Sequence, residues 1–581
     1  MGKIKITINN TEIEVEEGST ILDCAKEAGA YIPTLCHLNL HVAKMVNQVA
    51  TCRICMVDVE GRRNLAPACD TVVTNGMKIS THTKRAILAR RKVLELLLSN
   101  HPKDCLSCDK NLHCELQSLA DELKITDNKY DGKMSKHEKD VSSFSITRDP
   151  NKCILCRRCE NMCNNIQTVG VYSAVNRGFD TTMSTAFNLP MTDTCCTFCG
   201  QCISVCPTGA LTQVKHQNPV WDEINNPDKF VIVQTAPAVR VALGEEFGMP
   251  AGSIVTGKMV AALRRLGFDK VYDTDFAADL TIMEEASELI HRVKEGGPLP
   301  ILTSCCPAWV KFIEHQFPEL LEIPSSCKSP HEMFGAIAKT YLAEKLGVDP
   351  SKIVVVSVMP CVAKKYEANR PELKTEEYKS VDYVISTREL ANMIREAGLY
   401  FSYLPDEDFD NVMGESTGAG VIFGTTGGVI EAAMRTAYCW LTGEKPPQVE
   451  FEALRGFDGI REATYTVNGQ DLKIAIASGL GNSRKLLEAI RDKKATYHAI
   501  EIMACPNGCV NGGGQPYNHE DSEAVEKRTM AIYEEDRNKE IRYSHENAEI
   551  QQLYKEFLGE PYGEKAHKLL HTTFEKRGIY S

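Results

Sequence analysis

The chain has 581 residues and a mass of 64.5 kDa, too much for a single core, so several domains are expected. Its 43% hydrophobic content, mean hydropathy of −0.24 and formal charge of −12 describe a globular protein and argue against a nucleic-acid surface. No run approaches the roughly 18 apolar residues of a membrane span, and the opening "MGKIKITINNTEIEVEEGST" lacks the apolar block of an export signal, so a cytoplasmic location is expected. In that setting 24 clumped cysteines point to metal ligation or catalysis rather than to a disulfide framework.

Residues 1–80 read as a small β-rich domain. "KIKITINNTEIEVEEG" predicts two alternating strands about an Asn-Asn turn, and "STILDCAKEAG" a capped helix. Cys36, Cys52, Cys55 and Cys69 follow. Plant-type ferredoxins hold a [2Fe–2S] pair with four thiolates, but place four residues between the first two; here fifteen intervene. Cys36 is favoured as first ligand, Cys24 is its rival, and zinc competes for the whole set.

Over residues 81–140, a basic amphipathic helix in "RAILARRKVLELLLSNHPKDCLSCDKNLHC" leads to His101, Cys105, Cys108 and Cys114. Three thiolates and an imidazole suit tetrahedral zinc or a [4Fe–4S] cluster equally by spacing. Neighbouring iron–sulfur segments favour the cluster. His113, the alternative imidazole, reads as a surface residue.

Residues 141–215 carry the most specific pattern. "CILCRRCENMC" supplies Cys153, Cys156, Cys159 and Cys163, and "CTFCGQCISVCP" supplies Cys196, Cys199, Cys202 and Cys206. Both have the C-x2-C-x2-C-x3-C spacing of two-cluster bacterial ferredoxins, in which the fourth cysteine of each run serves the other cluster. One [4Fe–4S] centre is therefore expected on Cys153, Cys156, Cys159 and Cys206, the other on Cys163, Cys196, Cys199 and Cys202. Asn164 stands where the second run has Pro207. The four expected sites before residue 216 form a wire for single electrons.

Strands and helices alternate over 216–520, predicting an α/β region. "GLGNSR" lacks the dinucleotide fingerprint and no phosphate-binding loop motif occurs, so a nicotinamide site is expected on another subunit. The remaining clumped thiols fall after strand-like runs in "TSCCPAW", "MPCVAKK" and "MACPNGCVNGGG". These three segments, in this order behind these accessory motifs, resemble the signatures of [FeFe]-hydrogenases over essentially the whole chain.

The resemblance implies a multidomain fold: a β-grasp ferredoxin domain, a His/Cys3 domain, a two-cluster ferredoxin domain and an α/β catalytic domain. The segment 521–581 is expected to pack on the last. It further implies one [2Fe–2S] cluster, three accessory [4Fe–4S] clusters and an H-cluster, a [4Fe–4S] cubane joined to a diiron unit with CO, cyanide and an azadithiolate. Cys306, Cys361, Cys505 and Cys509 would hold the cubane, with Cys509 bridging to the diiron unit. Lys364 would donate to a cyanide, and Pro237, Met359, Met503 and Phe423 would line an apolar pocket. His331 joins them where relatives often have Gln. Cys305, freed from ligation, would pass protons to Glu285, Ser325, Glu288 and Arg292. Sequence alone favours a solvated helix face for these glutamates; the resemblance reverses that. Cys24, Cys195, Cys327 and Cys439 are left as core thiols.

The expected activity is reversible H₂ oxidation and proton reduction. Expected partners are flavin- and NAD(P)-binding iron–sulfur subunits, with ferredoxin, and maturation proteins for the diiron unit. A monomer served by ferredoxin, or a non-catalytic electron-transfer or sensor subunit, are the alternatives.

Overall fold

A computed structural model describes residues 2–127, 129–130, 132–517 and 523–578. The first two strands, Lys3–Ile8 and Thr11–Glu16, pair antiparallel. Their two-residue link, Asn9 and Asn10, is left-handed at both positions, the backbone that matches hairpin twist and that asparagine tolerates. Lys78–Ser80, Met56–Val59 and Ala66–Pro67 complete a five-stranded sheet. Thr20 and Asp23 form a reciprocal capping box on the helix Ile21–Glu27.

The basic helix α1 (Lys84–Ser99), capped by Thr83, lies against this domain. Its basic face is not wholly free. Arg90 is buried and donates to the Met56 carbonyl at 3.0 Å.

In the two-cluster module the runs repeat one backbone plan. Leu155 and Phe198, each two residues after the first cysteine, are left-handed, as are Arg157 and Gly200 after the second. These turns wrap the chain around sulfur: the amides of Leu155 and Phe198 donate to Cys153 Sγ and Cys196 Sγ, each at 3.4 Å.

The remaining core is built on two four-stranded sheets. In the first, β2 (Lys270–Asp273), β1 (Phe230–Thr235), β4 (Ile353–Met359) and β5 (Tyr383–Ser386) are all parallel. In the second, β3 (Ile301–Leu302), β8 (Ala499–Met503) and β7 (Gln470–Ser478) run parallel, with β6 (Ile460–Val467) antiparallel at the edge. Strands buried on both faces read as continuous apolar runs, as "IVVVSVM" does. The 22-residue helix α2 (Thr274–Glu295) packs on both parts of this core.

Residues 523–578 run over this core and are fastened by ion pairs. Arg528 makes a twin pair with Glu245 and donates to the Val510 carbonyl at 3.0 Å. Buried Arg435 joins Glu431 to Asp536, and Arg577 reaches Glu314. No helix among the described residues is long and apolar enough to cross a membrane.

Candidate active site and electron relay

Open parallel sheets place ligand sites beyond the carboxyl ends of their strands, where loops diverge. Cys305 and Cys306 follow β3, Cys361 follows β4, and Cys505 and Cys509 follow β8. The two sheets aim these ends at one cavity. All five cysteines line it, with Pro237, His331, Met359, Lys364, Phe423 and Met503. Apart from Lys364, His331 and Thr274, its walling side chains are apolar or sulfur.

Cys306 precedes Pro307 at the first turn of helix Pro307–Gln316, and its Sγ accepts from the Ala504 amide at 3.5 Å. Cys509 Sγ lies 4.0 Å from Met503 Sδ. The loop around Cys509 is pressed tight: a Cβ on Gly512 would lie 2.2 Å from the Pro360 carbonyl oxygen. Burial, then neighbouring thiols, push Cys361 and Cys505 well above the usual thiol range. Several buried thiolates suit this place only if a multivalent cationic centre compensates them. The donor set therefore fits an iron–sulfur group better than any neutral small molecule.

Lys364 Nζ donates to the Cys305 carbonyl at 3.0 Å and pairs with Glu367 at 2.6 Å. Burial opposes its charge, but Glu367 outweighs that and holds the ammonium above its ordinary value. His331 Nε2 lies 2.6 Å from the same Glu367 oxygen, while Nδ1 meets Ser357 Oγ at 3.3 Å. Burial, then Lys364, push this imidazole down to about 4. It is thus a neutral wall group that helps to fix Lys364 through Glu367. The sequence reading missed Glu367, although its i,i+3 spacing from Lys364 was visible in "CVAKKYEA".

Glu285 and Glu288 on α2 are buried, not solvated. The Ser304 amide donates to Glu285 Oε1 at 3.5 Å, one residue before Cys305. Ser325 lies beside Glu285 and donates to Glu288 Oε2 at 2.8 Å; Arg292 donates to Glu288 Oε1 at 2.6 Å. Burial, then the charge of Glu288, push Glu285 up to about 8. A group poised there exchanges protons near neutrality. Cys327, read as a core thiol, is buried in the core and also faces Glu288, its Sγ 3.9 Å from Oε2.

The accessory thiols also gather. Cys36 lies in sulfur contact with Cys52 and Cys69, and Cys55 Sγ is 3.4 Å from Cys69 Sγ; Cys24 is buried in the apolar core, where its thiol feels Glu27 and Asp23. His101 is buried with Nδ1 against the Pro102 carbonyl at 2.9 Å, and its Nε2 makes no hydrogen bond among the described residues. A metal-ligating imidazole is characteristically fixed through its other nitrogen in this way. His113 is half-exposed and turned toward Glu246.

Contacts between modules are made by the cluster loops themselves. Asn47 Nδ2 donates to the carbonyls of Cys36 at 2.6 Å and Cys156 at 3.1 Å. Cys108 Sγ packs on Gly209, where an added Cβ would meet it at 2.6 Å. The two amino-terminal sites therefore abut the segments that carry Cys156 and Cys206, one from each run. On the other side Gly200 packs on Gly513: a Cβ on Gly200 would lie 3.2 Å from Gly513 Cα and 2.4 Å from a Val362 methyl. Gln167 and Gln201 bridge the same seam, donating to the carbonyls of Ala504 and Asn511.

A thiol-walled apolar cavity at the end of a file of cysteine sites defines an iron–sulfur oxidoreductase. Family models agree along the chain: "2Fe-2S iron-sulfur cluster binding domain" over 2–84, "NADH-ubiquinone oxidoreductase-G iron-sulfur binding region" over 90–129 and "4Fe-4S dicluster domain" over 138–210. "Iron only hydrogenase large subunit, C-terminal domain" matches 229–513, and "Iron hydrogenase small subunit" 522–577. The NADP-reducing hydrogenase subunit HndD of Solidesulfovibrio fructosivorans is 56% identical over 99% of this chain and 100% of its own. Iron hydrogenase 1 of Clostridium pasteurianum is 40% identical over 98% and 100%. Among solved structures, a variant of apo [FeFe]-hydrogenase HydA1 from Chlamydomonas reinhardtii superposes with a TM-score of 0.57 at 44% identity, covering 63% of this chain and all of that one. The chain belongs to the iron-only, or [FeFe]-, hydrogenase family. It is a multidomain hydrogenase chain with iron–sulfur domains and an H-cluster domain.

Proposed function

We propose that this chain is the H₂-activating subunit of an NADP-linked assembly and relays electrons between its catalytic cavity and partner subunits. The observation that carries this reading is the convergence of Cys306, Cys361, Cys505 and Cys509 on one apolar cavity, with Cys305 beside them but spare. In this reading Cys306, Cys361, Cys505 and Cys509 would hold an H-cluster, with Cys509 also serving its diiron part, which would carry CO, cyanide and an azadithiolate. The group supplies, when bound, the exchange of two electrons with protons and H₂ at iron. The chain's own residues do the rest. Pro237, Met359, Phe423 and Met503 exclude water, and Lys364 presents a fixed N–H donor to an anionic ligand. Cys305 Sγ hands protons to Glu285, which passes them through Ser325 Oγ to Glu288 Oε2, with Arg292 steadying that carboxylate.

Electrons would reach the cavity across the Gly200–Gly513 seam from the site of Cys163, Cys196, Cys199 and Cys202. They arrive there from the site of Cys153, Cys156, Cys159 and Cys206, against which the His101/Cys105/Cys108/Cys114 and the Cys36/Cys52/Cys55/Cys69 sites both pack. Full-length identity to an NADP-reducing subunit and the lack of a dinucleotide fingerprint favour a flavin- and NADP-binding partner; ferredoxin is a further one. A cytoplasmic location accords with this. The test uses the full chain, matured anaerobically. Infrared CO and cyanide bands, H₂ turnover with an artificial donor, and H₂-dependent NADP reduction only after a flavin subunit is added are expected. Absence of the bands, or NADP reduction by the isolated chain, refutes the corresponding part.

A further inference from the structure

The helix α3 (Glu564–Leu570) runs into a short ribbon with residues 326–328, in which the Lys328 amide donates to the Leu570 carbonyl and the Thr572 amide to the Ser326 carbonyl. Cys327 and His571 stand opposite each other between those two bonds, at the narrow position of an antiparallel bridge, so their side chains leave on one face and close together. That face looks at Glu288 on α2. A ring nitrogen of His571, Cys327 Sγ and a Glu288 oxygen lie within 4.8 Å of one another, and all three residues are buried. His571 Nε2 is 2.9 Å from Glu284 Oε2, in a carboxylate that accepts as well from the Tyr554 hydroxyl and the Tyr562 amide. That carboxylate takes the ring N–H on Nε2, which leaves the lone pair on Nδ1, where Ser326 Oγ meets it at 2.8 Å. An imidazole fixed by a carboxylate through one nitrogen is the arrangement that presents the other to a metal. Burial, then the charges of Glu288, Glu285 and Glu284, push the Cys327 thiol well above the usual range, so it keeps its proton unless a metal ion takes that place. Outside the site, His567 is exposed and stacks on His571 with centroids 4.5 Å apart, and Tyr562 packs against both rings and against exposed His291.

A thiolate, an imidazole and a carboxylate suit a borderline-soft divalent ion, whereas magnesium or calcium would find no use for the sulfur. We propose that Cys327 Sγ, His571 Nδ1 and Glu288 Oε2 form a reversible zinc site, with water in the fourth position, that blocks the proton relay when filled. As Zn²⁺ enters, the Cys327 S–H bond breaks and a Zn–S bond forms, one proton passes to solvent, and Ser326 Oγ gives up Nδ1. No electron moves, and no oxidant or reductant is needed. Displacing a thiol proton and a hydrogen bond makes this a weaker site than a structural one, filled only when zinc is supplied. Filled, it occupies the Glu288 oxygen to which Ser325 donates, while Arg292 keeps the other, and the carboxylate can no longer take up a proton. The binding stands on the geometry of the three side chains; the block rests on the proposed reading of Glu288 as part of the relay.

The test uses the matured full chain, whose cluster cysteines are occupied by iron, cleared of loose metal with a chelator and then given zinc chloride. At roughly micromolar free zinc the wild type is expected to bind one ion more than Cys327→Ala. X-ray absorption at the zinc edge should show one sulfur among nitrogen and oxygen neighbours. H₂ production should fall about tenfold or more, with iron content and infrared bands unchanged, and recover when chelator is added. Cys327→Ala and His571→Gln, each measured against its own zinc-free rate, should not respond to zinc, and magnesium should slow none of the three. Equal zinc binding by the wild type and Cys327→Ala, or a zinc shell with no sulfur or with four, overturns the site. The absorption measurement needs no variant and decides even if both variants fail to fold. Zinc bound as expected with turnover undiminished overturns the block and the place of Glu288 in the relay. Infrared bands missing before any zinc is added would instead refute the hydrogenase reading, with the zinc shell still deciding the site.

Discussion

The two-cluster module and the catalytic cavity each gather thiols, but by opposite means. In the module, eight cysteines come from two short runs, and a repeated pair of left-handed turns folds each run onto its own sulfur. In the cavity, the thiols come from the ends of β3, β4 and β8, brought together only by two sheets and the helices that cover them. A local site is encoded by spacing and fails locally. A site assembled from distant strands is encoded by the whole core, which leaves room for a cysteine such as Cys305 to be present without being a ligand.

The largest expected effect tests that last point. Cys305→Ala is expected to leave the iron content unchanged while H₂ turnover falls about 10²- to 10⁴-fold, because it removes a proton carrier and no ligand. Near-normal turnover with an unchanged infrared spectrum would erase the distinction between Cys305 and Cys306.

Glu285→Gln comes next, with a loss of about 10²-fold. In the wild-type chain Glu285, raised to about 8, carries its proton below that pH, so proton reduction should decline as pH rises through about 8. The sign for stability is the same. The unfolded carboxyl ionises near 4.5 while the folded one keeps its proton, so Glu285 costs the fold stability progressively from about pH 4.5 to 8. Glu285→Gln should therefore flatten the fall in thermal midpoint across that window, and an unchanged slope would deny the buried, protonated state.

A local failure is expected of Cys108→Ser. Metal analysis of the full chain should find iron without stoichiometric zinc, and the variant should lose about four irons while activity with an artificial donor persists. One zinc per chain, lost in the variant, would make this module a structural metal site.

The smallest effect concerns the seam. Gly200→Ala forces a Cβ within 2.4 Å of Val362 at a positive φ, and should cost about 1–3 kcal/mol in thermal or denaturant unfolding. Partner-driven turnover should fall more than turnover with a small diffusing donor. Equal losses would mean that the contact does not carry the electrons.

The same contrast explains what could be read from sequence. The C-x2-C-x2-C-x3-C runs, the Asn9–Asn10 hairpin and the Thr20 cap are short-range devices and were legible as spacings. The choice between Cys36 and Cys24 was not, because it depends on a fold that carries Cys36 across fifteen residues to Cys52, and further to Cys69, while Cys24 is buried in the core. Nor could periodicity tell that Glu285 and Glu288 are buried: a three-residue spacing fits a wet face as well as a dry one, and only the segments packed against α2 distinguish them. Glu284, Cys327 and His571 escaped for the same reason, being joined only when the end of the chain folds back over α2.

The fastenings of residues 523–578 have a consequence for assembly. Arg528 on Glu245 and Val510, Asp536 on Arg435, His571 on Glu284 and Arg577 on Glu314 are side-chain contacts spread along the whole segment, of the kind that two separate chains could equally make. Joining the segment covalently changes none of those contacts, but it replaces an encounter between two molecules with ring closure inside one. A short tether sets an effective concentration on the order of millimolar. The cover over α2 then closes independently of how much protein the cell makes, and each catalytic core carries its own.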